Sequence, residues 1–154
     1  MPLTDVAPIS ASTTIAAPPA EVWALVADLR SMARWSPQTV RSIPRGGDGV
    51  GARFLNINRL GLKVWPTQSE VVRYTAEKEI AWRVRENFTV WSLRLEPTAD
   101  GGTLLTSTRE APDGISDLSV RLTKVMFGGV PKFTGTLQSG MADTLARIKD
   151  AAEQ

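Results

Sequence analysis

The stretch from Ile80 to Glu110 leaves the chain few choices. Along Ile80–Arg85, the apolar Ile80, Trp82 and Val84 fall on one face and Arg83 and Arg85 on the other. Thr89–Glu96 repeats the pattern, with Trp91, Leu93 and Leu95 opposed to Ser92, Arg94 and Glu96. A period of two in successive segments marks antiparallel strands with one wet face. Asp100-Gly101-Gly102 is a tight hairpin turn, and Thr103–Glu110 is the next strand. Such a block must form a sheet, and the dry face of that sheet must be covered.

The cover is legible at both ends. Leu137, Met141, Leu145 and Ile148 form a helical stripe near the C-terminus. Leu118, Leu122, Val125 and Met126 follow helical spacing before it, and Gly128-Gly129-Val130-Pro131 bends or interrupts the helix between the two sets. At the other end, Ser12–Ala17 reads as a first strand, stopped by Pro18-Pro19. Val22, Trp23, Leu25, Val26 and Leu29 then predict an amphipathic helix to Arg30, and Met32–Trp35 a short second turn. Ser36-Pro37 ends it, because a residue before proline avoids the α region. Further strands are expected at Val40–Ile43, Ala52–Leu60, Leu62–Trp65 and Ser69–Tyr74. Strands grouped in sequence between helices indicate an α+β fold, with a curved antiparallel sheet around a long C-terminal helix. Residues 1–10 read as a flexible arm and 11–154 as one domain, a length that fits a single core.

Composition narrows the chemistry. The chain has no cysteine and no histidine. That removes disulfides, thiolate catalysis, Cys- or His-ligated metal and every Ser-His triad. A carboxylate-only metal site would need a spaced acidic cluster, and none is visible; no cofactor is expected. Net charge is only +2, with no basic stripe, so no nucleic-acid partner is expected. No run approaches the roughly 20 apolar residues of a membrane helix, so no integral membrane association is expected. Met1–Ser10 lacks the basic and apolar regions of a signal peptide, and the expected location is cytoplasmic.

Several pieces, taken in order, carry a resemblance. They are "IAAPPAEVWALVADL", "RWSP", "GVGARF", "SEVVRYTAEKEIAWRV", "LRLEPTADGGTLLTSTRE" and the terminal "TLARIKDAAE". With this order and spacing the chain resembles the START-like, helix-grip (SRPBCC) superfamily. The branch it is most similar to is the bacterial polyketide cyclase/dehydrase and lipid-transport group. The resemblance implies that the Pro-rich turn ends the first strand and that the short helices close one end of the sheet. Trp23 would then anchor the first helix to the sheet, and Trp35 would stand near a pocket edge.

A helix gripped by a sheet leaves room for a mostly apolar pocket with a few orienting polar groups. The expected lining is Phe54 and Asn56 on one strand, Trp82 and Trp91 on the central strands, and Thr106 and Thr108 on the last. Met126, Phe127, Val130 and Phe133 are expected from the broken helix, and Trp65 at the mouth. For catalysis the candidates are Glu110, Asp113, Tyr74, Arg109 and Arg83. Glu110 is the acid/base candidate because it ends a strand expected to line the pocket. Its neighbour Arg109 must point the other way.

Three readings follow. The first is binding of a small hydrophobic or amphipathic ligand, such as a lipid, polyketide or aromatic metabolite, oriented by Asn56, Thr106 and Thr108. The second is a polyketide cyclase, aromatase or dehydratase using a carboxylate. The third is a ligand-free interaction module, for example a homodimer.

Overall fold

The computed structural model describes residues 7–47, 49–114 and 130–154, with side chains of the last segment from Gly135 onward. Seven strands form one antiparallel sheet in the order β1-β7-β6-β5-β4-β3-β2. They are β1 (Ile9–Ile15), β2 (Thr39–Gly46), β3 (Arg53–Leu60), β4 (Lys63–Thr75), β5 (Glu79–Val84), β6 (Val90–Pro97) and β7 (Thr103–Glu110). The helices are α1 (Pro19–Val26), a 3-10 turn at Leu29–Ser31, α2 (Met32–Trp35) and α3 (Val130–Ala152). This is the helix-grip architecture: a meander from β2 to β7, β1 returned to pair with β7, and the C-terminal helix on one face.

The helix-facing side holds the core. Ile15, Ile80, Leu93 and Leu105 from the sheet pack with Val22 and Val26 of α1 and with Leu145 and Ile148 of α3. The stripe read from the sequence is the buried face of α3, with Leu137, Met141, Leu145 and Ile148 all buried. Burial of such side chains contributes roughly 1.5–3 kcal/mol each, enough to set which face of every strand turns inward.

Three details differ from expectation. β1 begins at Ile9, inside the stretch read as an arm, because Ile9 is buried and pairs with Arg109. The helix expected to reach Arg30 stops at Val26. Asp28 accepts the Arg30 backbone N–H at 3.0 Å and also its guanidinium, so the chain tightens into a capped 3-10 turn. The strands expected at Leu62–Trp65 and Ser69–Tyr74 are one strand, β4. Pro66 is tolerated there because β5 pairs only with Ser69–Thr75, so Pro66 has a neighbour on the β3 side alone. The helix around Leu118, Leu122, Val125 and Met126 lies outside the described residues.

Candidate functional site

A cavity of about 170 Å³ lies between the sheet and α3. Its walls differ in chemistry. The central strands supply Trp82, Trp91 and Leu93, and α3 supplies Leu137, Met141, Gly140 and Thr144. Trp82 stands directly opposite Trp91 across β5 and β6. Two residues on the same face of adjacent strands come within side-chain contact range, so the two indoles form one apolar floor.

The other wall is a hydrogen-bonded polar ladder on β2, β3 and β4. The Ser42 hydroxyl donates to Asn56 Oδ1 at 2.7 Å, and Asn56 Nδ2 donates to the Ser69 hydroxyl at 3.2 Å. One step along, Asn58 Nδ2 donates to the Thr67 hydroxyl at 2.9 Å and to the Trp65 carbonyl at 3.3 Å. These bonds lock the amides in orientation, so each carries a defined donor and acceptor edge. Asn56, Asn58, Thr67 and Ser69 all line the cavity.

The rim is built by the loops. Met32 contributes from α2, and Ser36, Pro37, Gln38 and Thr39 follow that turn. Asn87 lines the cavity from the β5–β6 loop; its side-chain oxygen accepts both the backbone N–H and the hydroxyl of Thr89, at 3.0 and 2.6 Å. Outside the rim is a shallower depression lined by Leu60, Gly135, Thr136, Ser139 and Asp143, which shares Pro37, Gln38 and Gly140 with the cavity. It is a vestibule between the α2–β2 connection and α3.

The expected residues fall into distinct places. Asn56, Trp65, Trp82 and Trp91 come together in the lining. Phe54 shares the face of Asn56 but packs against the core cluster instead. Trp35 is also core, 3% exposed, and not at the pocket edge. Its indole N–H donates to the Leu25 carbonyl at 3.4 Å while the Arg34 guanidinium covers the ring at 4.5 Å. The helical geometry of Met32–Trp35 turns Met32 to the cavity and Trp35 to the α1 end. Trp23 meets Tyr74 of β4 edge-to-face at 5.3 Å, which ties α1 to the sheet.

The last strand has the opposite phase to the one expected. Thr106, Thr108 and Glu110 lie on the side away from the cavity, paired with Arg94, Ser92 and Val90, while Ser107 and Arg109 line it. The cause is register: Leu105 pairs with Leu95, and both are buried against the helix. A one-residue shift in phase reverses every assignment on a strand. Glu110 is therefore separated from the cavity by the sheet. Asp113 forms an ion pair with Arg83, whose guanidinium also covers the Phe88 ring at 5.5 Å. Met126 and Phe127 lie outside the described residues, and Val130 and Phe133 belong to α3 by their backbone.

Arg109, a catalytic candidate expected to point away from the pocket, lines the cavity instead. It is only 7% exposed, and among the described residues it has no hydrogen bond or ion pair. Burial pushes its pKa below the ordinary guanidinium value, though arginine remains charged at neutral pH. No described side-chain nitrogen is both sealed from solvent and unpartnered, so the Arg109 nitrogens reach the open space of the cavity. Among the described residues there is no cluster of acidic groups able to hold a metal ion, and no helix is long and apolar enough to cross a membrane.

A single antiparallel sheet closed over one long helix, with a chamber between them, defines a helix-grip protein. The profile of the polyketide cyclase / dehydrase and lipid transport family matches residues 7–153, and the chain belongs to that family. Among solved structures it is similar to the di-domain ARO/CYC StfQ of the steffimycin biosynthetic pathway. The TM-score is 0.76 at 13% identity, over 95% of this chain and 50% of that one, so this chain spans half of that protein's length. It is similar to DR_A0006 from Deinococcus radiodurans, with TM-score 0.67 and 15% identity, over 96% of this chain and 98% of that one. It is also similar to the Aha1 dimer from Colwellia psychrerythraea, with TM-score 0.65 and 18% identity, over 96% and 97% of the two chains. Identities this low speak for the fold alone. No curated protein matches the sequence.

Proposed function

We propose that the protein binds a small, flat, largely apolar molecule with polar substituents in the chamber between the sheet and α3. The observation that carries this reading is the two-sided lining. The paired Trp82 and Trp91 offer a stacking floor, and the Asn56 and Asn58 amides, already oriented by their neighbours, face the same space. Apolar burial supplies affinity and the ladder supplies orientation, the division of labour usual in ligand pockets. Membership of a family described by cyclases and lipid carriers supports a ligand-holding role.

The volume favours an aromatic metabolite over a long-chain lipid. An apolar cavity of about 150 Å³ takes a benzene ring. The chamber, at about 170 Å³, suits one or two rings, with further atoms reaching into the vestibule.

The test begins with native mass spectrometry of freshly purified protein, then denaturation and identification of any released molecule. Titration with N-phenyl-1-naphthylamine, a neutral fluorophore with a two-ring naphthyl group and an N-phenyl ring that can extend into the vestibule, follows. The expected result is one probe per chain, with affinity lost in Trp91→Ala and undisturbed in Val50→Ala, far from the lining. Absence of both a co-purified molecule and probe binding would overturn the reading.

A further inference from the structure

Arg109 is a buried cation in a chamber whose described lining contains no acid. It sits on β7 directly opposite Trp91, with Ile9 opposite it on the other side. Its other companions in the lining are neutral: Ser107, Asn87 and Thr144. Asp143 lies in the vestibule, outside the cavity lining, and the neighbouring Glu110 is on the far face of the sheet. A charge withdrawn from water and left without a counter-charge is unfavourable, and folded chains normally pair it. Here the missing partner is not supplied by any described residue, while the guanidinium nitrogens open onto empty space.

We propose that Arg109 is the anion-recognition point of the cavity, and that the ligand carries a carboxylate, or an oxyanion of the same geometry, on an aromatic body. The proposal rests on the ligand-binding reading above and adds the charge of the ligand to it. A guanidinium presents a planar fork of donors that matches a carboxylate with two parallel hydrogen bonds. The ligand's apolar body lies against the Trp82–Trp91 floor. Its anionic end meets Arg109 beside Trp91, and its neutral polar groups meet the Asn56 and Asn58 amides across the chamber. One polar end is thus read by charge and the other by hydrogen-bond pattern, which gives the ligand a direction in the site.

The experiment compares 2-naphthoate with 2-naphthamide, which share shape and differ in charge. Binding to the wild-type protein and to Arg109→Met and Arg109→Lys is measured by calorimetry. Wild type is expected to favour naphthoate by about tenfold or more, the scale of a charge-assisted bidentate contact. Arg109→Met is expected to lose that preference, and Arg109→Lys to retain part of it. Equal wild-type affinity for the two compounds overturns the inference and leaves the cavity reading standing. So does a preference that survives in Arg109→Met. Binding of neither compound while N-phenyl-1-naphthylamine still binds overturns the inference alone; loss of all three, with no co-purified molecule, removes both readings. The wild-type comparison alone is decisive if a variant fails to fold.

Discussion

The Glu153 carboxylate at the end of α3 accepts the backbone N–H of Ala16 at 2.8 Å, across 137 residues of sequence. Lys149, one turn earlier, donates to the Thr14 carbonyl at 2.6 Å and pairs with Glu153 at 2.7 Å. Together they satisfy backbone groups at the open edge of β1, a position that otherwise invites pairing with another chain.

This pair gives a pH dependence with a definite sign. The Ala16 N–H, then Lys149, favour the charged carboxylate and hold its pKa below the ordinary glutamate value. A depressed carboxylate contributes stability fully above its unfolded value and loses it as pH falls through the folded value. The melting temperature of wild type should therefore exceed that of Glu153→Gln at neutral pH, and the gap should close in acid below the ordinary glutamate range. A gap that stays constant down to strongly acid pH would contradict the assignment.

Thr103 is fully buried, and its hydroxyl donates to the Ala17 carbonyl at 2.8 Å, joining β7 to the turn after β1. Thr103→Val keeps the shape and strands that carbonyl. Urea denaturation should show a loss of about 1–3 kcal/mol, the usual cost of an unsatisfied buried acceptor. Thr103→Ser, which keeps the donor, should lose less.

Two glycines should respond in opposite directions to the same change. A Cβ on Gly102 would stand 2.6 Å from the Ile15 carbonyl oxygen, a backbone atom that cannot swing away. Gly102→Ala should destabilise by about 1–3 kcal/mol through this overpacking. Gly135 lies within α3 and meets nothing within 4 Å. Gly135→Ala should stabilise by up to about 1 kcal/mol through helix propensity. Thermal melts of the two variants against wild type check both signs.

Replacing the buried cation should relieve the ligand-free fold. Arg109→Met removes an uncompensated buried charge while keeping an unbranched stem in the same space. Stability without ligand should rise by on the order of 1 kcal/mol or more. At this chain length, each kcal/mol moves the melting temperature by about 2–4 °C. A lower melting temperature would mean that the folded state supplies a partner for the guanidinium.

Much of this fold was written in local pattern. The alternation in Ile80–Val84 and Val90–Leu95 named the inward residues of β5 and β6, Trp82 and Trp91 among them. The stripe from Leu137 to Ile148 named the covering face of α3. Such patterns are legible because strand and helix periods place burial at fixed intervals, and burial dominates the energetics. Even the phase of β7 was available. Residues directly opposite in a hairpin share a face, and the Thr98–Gly102 loop, closed by the Pro97–Thr103 pair, brings Arg109 opposite Trp91. The adjacent Leu104 and Leu105 hid that phase, since local hydrophobicity fits either one.

By itself, then, the sequence determined the order of strands and helices among the described residues and the family, along with the absence of histidine and cysteine side chains. Tertiary structure alone decided that Trp35 goes to the core while Met32 reaches the cavity, that Asn56 and Asn58 are locked by Ser42, Ser69 and Thr67, and that Arg109 has no partner among the described residues. The reason is physical. A period is a property of neighbours along the chain, whereas a cavity, a cross-strand hydrogen bond and an unpaired charge depend on groups that only folding brings within reach.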